Sequence, residues 1–282
     1  MIKLYDKTSA ETSKIITKIY STSFSLGIKT FHKQYREPIY NIYGFVRIAD
    51  EIVDTFHDFD KKFLLNKLRQ DTFEAIEMGI STNPILNSFQ KTVKEYMIEI
   101  ELINTFLKSM EMDIYISSHE KISYDEYVNG SAEVVGLMCL RVFTKNNPSL
   151  FDDLKPYAKK LGSAFQKVNF LRDIKDDIEE RGRIYLPDIH RIKDISNFNK
   201  AKLEKEIERE FNESLPGILK LPIGVRLGVY LAFIYYKTLF KKLKDKSIDE
   251  IKLERIRVSN FVKFNLLIKS FLQIKFFKAR LN

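Results

Sequence analysis

Apolar residues return every third or fourth position along most of the chain, the period of a helix, and strand-length runs of β-branched alternation are hard to find. The spacing predicts helices over residues 8–28, 36–58, 61–79, 84–117, 123–144, 151–181, 200–214, 222–246 and 254–279. Pro38 suits a first helical turn. Pro84, Pro148, Pro187 and Pro216 fall where helices should start or stop. Segment 182–199, GRIYLPDIHRIKDISNFN, is the clearest loop. No repeat, low-complexity tract or flexible linker divides the chain, so residues 1–282 are expected to form a single all-α domain.

Composition narrows the class. A chain of 282 residues that is 44% hydrophobic and 30% charged can bury a large core, and disorder is not the default. The one cysteine, Cys139, cannot form an internal disulfide, which excludes a disulfide-stapled secreted fold. Four scattered histidines do not give zinc-site spacing. The start, MIKLYDKTSAETSK, lacks the apolar core of a signal peptide. The longest apolar run, Leu227 to Tyr236, is about half of what a membrane span needs. A cytoplasmic protein is expected. Its net charge of +9 is uneven: residues 220–282 hold 15 Lys/Arg and 4 Asp/Glu, a net of +11, and the rest sums to −2. Such a segment can meet nucleic acid, an anionic membrane or phosphorylated substrates, or form solvated helix faces.

Two segments carry candidate chemistry. In Tyr43-Gly-Phe-Val-Arg47-Ile-Ala-Asp50-Glu-Ile-Val-Asp54, a turn of about 100° per residue places Tyr43, Arg47, Asp50 and Asp54 within about 60° of one face. Apolar residues surround that face, as in a buried helix, so the polar stripe looks inward. Gln166, Asn169, Asp173 and Asp177 repeat the arrangement, with Phe165, Val168, Phe170, Leu171 and Ile174 flanking. Arg172 points well off this second stripe. Like charges at i, i+4 destabilise a helix, and burying them unpaired costs several kcal/mol more. Four aspartates with few competing bases therefore suggest a hard divalent metal such as Mg²⁺, which bridges carboxylates to substrate phosphates. A di-iron bundle needs two Glu-x-x-His motifs, and the nearest approach is a single Asp54-x-x-His57. No nucleophile elbow, dinucleotide fingerprint or P-loop occurs.

These segments resemble the two signatures of the squalene and phytoene synthase family, the head-to-head prenyl synthases. The second resemblance continues through Arg181-Gly-Arg183-Ile-Tyr185-Leu-Pro187. Weaker similarities follow in the family's order. Ser21-Thr-Ser23-Phe24-Ser25 resembles the N-terminal serine segment that helps hold a diphosphate, and it also reads as a helix cap. Tyr127-Val-Asn129-Gly130-Ser131-Ala132-Glu133-Val134-Val135-Gly136 resembles the mid-chain helix lining the tail cavity. Tyr236 and Arg255 match a Tyr and an Arg associated with the diphosphate. Asn129, Ser131 and Glu133 replace residues that are often Tyr, Val and Gly, and this departure bears on chain length and product.

The resemblance implies an isoprenoid-synthase-type helical bundle around a central cavity. It implies a prenyltransferase whose Mg²⁺, with Mn²⁺ as a substitute, is held by Asp50, Asp54, Asn169, Asp173 and Asp177. Tyr43 and Arg47 are expected in the catalytic set. Ser21, Ser23, Arg172, Tyr236 and Arg255 are expected at the diphosphates, Phe24, Val135, Leu161 and Phe165 along the tail, and Gln166 among the substrate-binding residues. The implied reaction is phytoene formation from two geranylgeranyl diphosphates through a cyclopropyl diphosphate. The alternative is a squalene or dehydrosqualene synthase using farnesyl diphosphate; squalene formation also requires a reducing nicotinamide cofactor, for which no site is recognisable. The competing class is a non-enzymatic basic helical protein on membrane or RNA, motivated by residues 261–278. On a wheel, Lys263, Lys269, Lys275 and Lys278 spread over about two-thirds of the circumference, poor for an amphipathic membrane helix. No RNA-binding signature occurs, so no nucleic-acid partner is expected. A water-insoluble product makes loose peripheral contact with the inner membrane face an expectation for the enzyme as well.

Overall fold

A computed structural model describes residues 1–116, 118 and 120–281. Thirteen α-helices among these residues run α1 (Ile2–Tyr20), α2 (Thr22–Lys29), α3 (Lys33–Asp54), α4 (Lys61–Met78), α5 (Pro84–Tyr96), α6 (Ile100–Tyr115) and α7 (Lys121–Val128). After a π-helical stretch at Asn129–Glu133 come α8 (Val134–Phe143), α9 (Pro148–Glu179), α10 (Asn197–Lys220), α11 (Ile223–Lys244), α12 (Ile248–Leu253) and α13 (Asn260–Leu281). Strands are absent among the described residues; only an isolated bridge joins Ser118 and Ile184.

The all-α expectation holds, with local corrections. The helix expected at 8–28 starts at Ile2 and breaks at Ser21, whose extended backbone and hydroxyl cap α2 by accepting from the Phe24 amide. The one expected at 84–117 breaks at Met97, held at φ 51°, which closes α5 in a left-handed turn without a glycine. The final one, expected at 254–279, begins only at Asn260 as α13, and the short α12 precedes it outside the expected bounds. Pro38 lies inside α3 rather than in its first turn, and Pro216 lies inside α10, which runs on to Lys220. By length and apolar composition α11 could cross a membrane. Here Val225, Phe233, Leu239 and Leu243 of α11 are buried in the protein core.

Helix α3 forms the spine of one half. Its Phe45 stacks on Phe89 of α5 with centroids 4.0 Å apart and leans on Phe106 of α6. Polar pairs align the helices within this core: Ser13 with Ser88 at 2.7 Å, and Asn41 donating to Thr92 at 3.1 Å. Gly44 lets α1 approach, since a Cβ there would lie 2.8 Å from Ser13 Oγ. Helix α9 forms the spine of the other half, packed on α8 and α10. Its outer side is clamped by Lys167, which donates to Glu210 at 2.7 Å and Glu206 at 3.2 Å.

Candidate active site

The C-terminal ends of α3 and α9 meet, and the two aspartate stripes face each other. Arg181, just past α9, bridges them: its Nη1 donates to Asp177 at 2.7 Å and its Nε lies 3.5 Å from Asp54. The loop after α9 then returns to α3. Buried Arg183 donates to Asp54 Oδ1 at 2.7 Å and to the Val53 carbonyl at 2.8 Å, fixing the end of that helix. Behind it, Asp113 of α6 accepts from Tyr185 at 2.6 Å and Tyr127 at 2.8 Å and lies 3.6 Å from Arg183. This supporting network was missed as such from the sequence. Its signal was present in the Arg181-Gly-Arg183-Ile-Tyr185 run, whereas Asp113 stands in no motif.

The remaining carboxylate of the second stripe, Asp173, is paired by Arg172 and by Arg255, whose Nε lies 2.8 Å away. Asp50 has no ion pair among the described residues. Burial, reinforced by the Asp54 charge and opposed by Arg47, pushes its carboxyl up to about 8. Burial, together with the Asp173 charge and against Arg181, raises Asp177 to about 7. Burial likewise lifts the Tyr43 phenol to about 12.

Two cavities adjoin these helices. An apolar one of about 340 Å³ is lined by Phe24, Tyr43, Val135, Leu161, Phe165 and Tyr236, with Ser23, Gln166 and Asn169 as its polar groups near the stripes. A larger chamber of about 720 Å³ is lined by Ser21, Ser23, Arg172, Arg255, Arg257 and Lys263. Phe24, Phe165 and Tyr236 border both. Phe165 and Tyr236 stack with centroids 4.0 Å apart, and the Tyr236 hydroxyl donates to Asn169 at 3.2 Å. Phe24 stacks on Tyr43 at 5.0 Å.

Asp50, Asp54, Asp173 and Asp177 line neither of these two cavities, whereas Tyr43, Gln166 and Asn169 of the same stripes line the apolar one. Arg172 reaches the chamber by folding along Asp173, despite its off-stripe angle. Arg47 lines neither cavity: it pairs with Glu51, covers the Tyr20 ring at 4.3 Å, and leaves its buried Nε without an acceptor. Glu133 turns away from the apolar cavity to pair with Lys159 at 3.0 Å.

Among the described residues no three His, Cys, Asp or Glu side chains converge on one point. The donor chemistry nevertheless fits a hard divalent cation. Asp50 is a half-buried carboxylate with no ion pair among the described residues, and Asp54, Asp173 and Asp177 are neutralised by arginines that a diphosphate could engage instead. Those arginine pairs must open for the carboxylates to bind metal.

Residues 17–190 match the family described as squalene/phytoene synthase. The chain is similar to the 4,4'-diapophytoene synthase of Staphylococcus haemolyticus, 29% identical over 69% of this chain and 66% of that protein. It is 30% identical to the presqualene diphosphate synthase of Sinorhizobium fredii over 59% of this chain and 58% of the relative. The phytoene synthase of Arthrospira platensis is 26% identical over 86% and 85% of the two chains. The first two alignments therefore span less than two thirds of those relatives. Among solved structures, a dehydrosqualene synthase with bound ligand superposes with a TM-score of 0.83 at 22% identity, covering 96% of this chain and 98% of that one. Like that structure, this one is an all-α isoprenoid-synthase bundle around a central cavity. With the family signature matched over more than half of its length and both aspartate stripes drawn together through Arg181, the chain belongs to the squalene/phytoene synthase family.

Proposed function

We propose that the protein condenses two prenyl diphosphates head to head, with geranylgeranyl diphosphate as substrate and phytoene as product. The observation that carries this reading is the facing pair of aspartate stripes, whose Tyr43, Gln166 and Asn169 reach the wall of an apolar cavity. Support for the C20 substrate comes from the Arthrospira phytoene synthase, whose alignment extends over 86% of this chain.

Mg²⁺, with Mn²⁺ as a substitute, would be held by Asp50, Asp54, Asp173 and Asp177 with Asn169 beside them, and would act as Lewis acid and template for the departing diphosphate. Arg172 and Arg255 would supply charge-assisted hydrogen bonds to phosphate oxygens once released from Asp173. Arg47 holds one unmet donor for the same purpose. Ionisation of one allylic diphosphate and attack by the C2–C3 double bond of the second substrate, with loss of a proton, gives the cyclopropyl diphosphate. A second ionisation, rearrangement and proton loss gives the hydrocarbon, so two diphosphates and two protons leave in all. Phe24, Val135, Leu161 and Phe165 keep water from the carbocation, and the Phe165 and Tyr236 rings offer it aromatic faces.

A second reading, condensation of farnesyl diphosphate to a C30 product, is favoured by the 29% identity to the staphylococcal diapophytoene synthase. Purified protein with Mg²⁺ should be given each diphosphate separately, with and without NADPH, and the hydrocarbons weighed by mass spectrometry. The expected result is a C40 product from geranylgeranyl diphosphate without NADPH, lost in Asp50→Asn. A C30 product establishes the second reading, and no hydrocarbon from either substrate overturns both.

A further inference from the structure

The guanidinium of Arg183 is buried within reach of two carboxylates that belong to different parts of the fold. Its Nη1 donates to Asp54 Oδ1 on α3 at 2.7 Å and to the Tyr185 hydroxyl at 3.2 Å. The same Nη1 lies 3.6 Å from Asp113 Oδ1 on α6, just beyond hydrogen-bond distance. Its Nη2 is anchored on the Val53 carbonyl at 2.8 Å. A swing of less than about 1 Å about that anchor brings Nη1 to the ~2.8 Å of a charge-assisted bond with Asp113.

The two carboxylates are held differently. The Asp54 side chain is 25% exposed at the edge of the site, whereas that of Asp113 is 3% exposed in the interior. Asp113 is fixed in place by two donors, Tyr185 at 2.6 Å on Oδ1 and Tyr127 at 2.8 Å on Oδ2. Those rings stack on each other at 5.1 Å, and Tyr185 stacks on Phe170 of α9 at 4.7 Å, so the acceptor is preorganised before any movement of Arg183.

Asp54 cannot bind a cation while it remains paired with arginine. Of its two partners, Arg181 is free to leave: its Nε is 3.5 Å away and its side chain is 23% exposed, so solvent or phosphate can receive it. Arg183 has no such exit. Its side chain is 6% exposed, and Lys61 donates to the same Val53 carbonyl at 2.8 Å, placing a second cation nearby. Releasing Asp54 with nothing in its place would strand a buried guanidinium, and that cost would subtract directly from metal affinity. We propose, resting on Asp54 as a metal ligand, that Asp113 is a positioning residue which receives Arg183 when Asp54 turns to a divalent cation. Arg183 thus has two arrangements, one on Asp54 and one on Asp113, with the Val53 carbonyl as pivot and the Tyr185 hydroxyl between them.

Mn²⁺ binding to the full-length protein is read from the loss of the free-ion signal in electron paramagnetic resonance. Asp113→Asn should weaken binding about tenfold, because Arg183 then has Asp54 as its one carboxylate within reach. Arg183→Met/Asp113→Asn removes the buried cation together with its second partner, and should bind Mn²⁺ at least as tightly as the unaltered protein. Damage to the fold cannot produce that recovery. A crystal structure of the unaltered protein with Mn²⁺ needs no variant: Arg183 Nη1 should lie within about 3 Å of Asp113 and beyond about 3.5 Å from Asp54. Equal binding by Asp113→Asn, a double variant as weak as the single one, or Arg183 still on Asp54 beside bound Mn²⁺ overturns the proposal and leaves the metal site standing. Failure of the unaltered protein to bind Mn²⁺ overturns both.

Discussion

Asp50 shows how one uncompensated carboxylate sets a pH response. Its folded value of about 8 and that of Asp177, about 7, both lie above the unfolded value of 3.8. A carboxyl raised on folding contributes stability below its unfolded value and loses it as pH climbs through the folded one. The metal-free protein should therefore melt at progressively lower temperature from pH 6 to about pH 8 and level off above it. Binding of a divalent cation requires the ionised form, so added Mg²⁺ should raise the melting temperature more at pH 9 than at pH 6. Asp50→Asn removes the charge without changing the shape, and should flatten most of the pH slope while losing most of the Mg²⁺ response. Differential scanning calorimetry with and without Mg²⁺ reads all three effects.

Among elements, the glycine on α10 decides how closely that helix approaches α9. A Cβ at Gly217 would lie 2.2 Å from Tyr157 Cβ, and both residues line the apolar cavity. In an exposed helix Gly→Ala stabilises by up to about 1 kcal/mol. Here overpacking, typically about 1–3 kcal/mol, outweighs that gain. Gly217→Ala should be destabilising by about 1–2 kcal/mol in urea unfolding, and should narrow the cavity against the longer prenyl chain. Both aspartate stripes were legible in the sequence because α3 and α9 are long, regular and apolar on their flanks, so a wheel locates their polar faces. The breaks at Ser21 and Met97 were not. The run from Ser21 to Ser25 reads as a cap, yet the apolar period carries on through it to residue 28, and Met97 adopts a left-handed turn with no glycine to announce it. The Asp113–Tyr127–Tyr185 support was illegible for another reason: it joins three segments whose proximity only the fold creates.

Across the whole molecule, the rotation of α9 is shared between its two sides. One side presents Asn169, Asp173 and Asp177; the other is pinned to α10 by Lys167, 5% exposed, and Glu210, 3% exposed. Ser163 also donates to Glu210 at 3.0 Å, and Glu210 Oε2 is buried without a partner. Lys167→Met leaves that carboxylate unpaired and should be destabilising by about 3–5 kcal/mol. Lys167→Met/Glu210→Met, which removes both charges, should recover most of the loss, as a double-mutant cycle in denaturant would show. The excess of basic residues over 220–282 was visible in the sequence, but that Arg257 and Lys263 line the larger chamber was not, because only the fold brings them to its wall.

The π-helical stretch at Asn129–Glu133 has a consequence for how this chain is compared with any other. A wide turn of this kind holds about one residue more than an α-helical turn, so the helix after it is out of phase with the helix before it by about 100°. Tyr127, upstream, reaches Asp113; Val135 and Cys139, downstream, face the tail cavity; Glu133 is turned out to Lys159. A residue-for-residue comparison that runs through this stretch without a gap assigns the wrong face of α8 to the cavity. Local chain length, as much as residue type, thus decides which side chains line the apolar cavity.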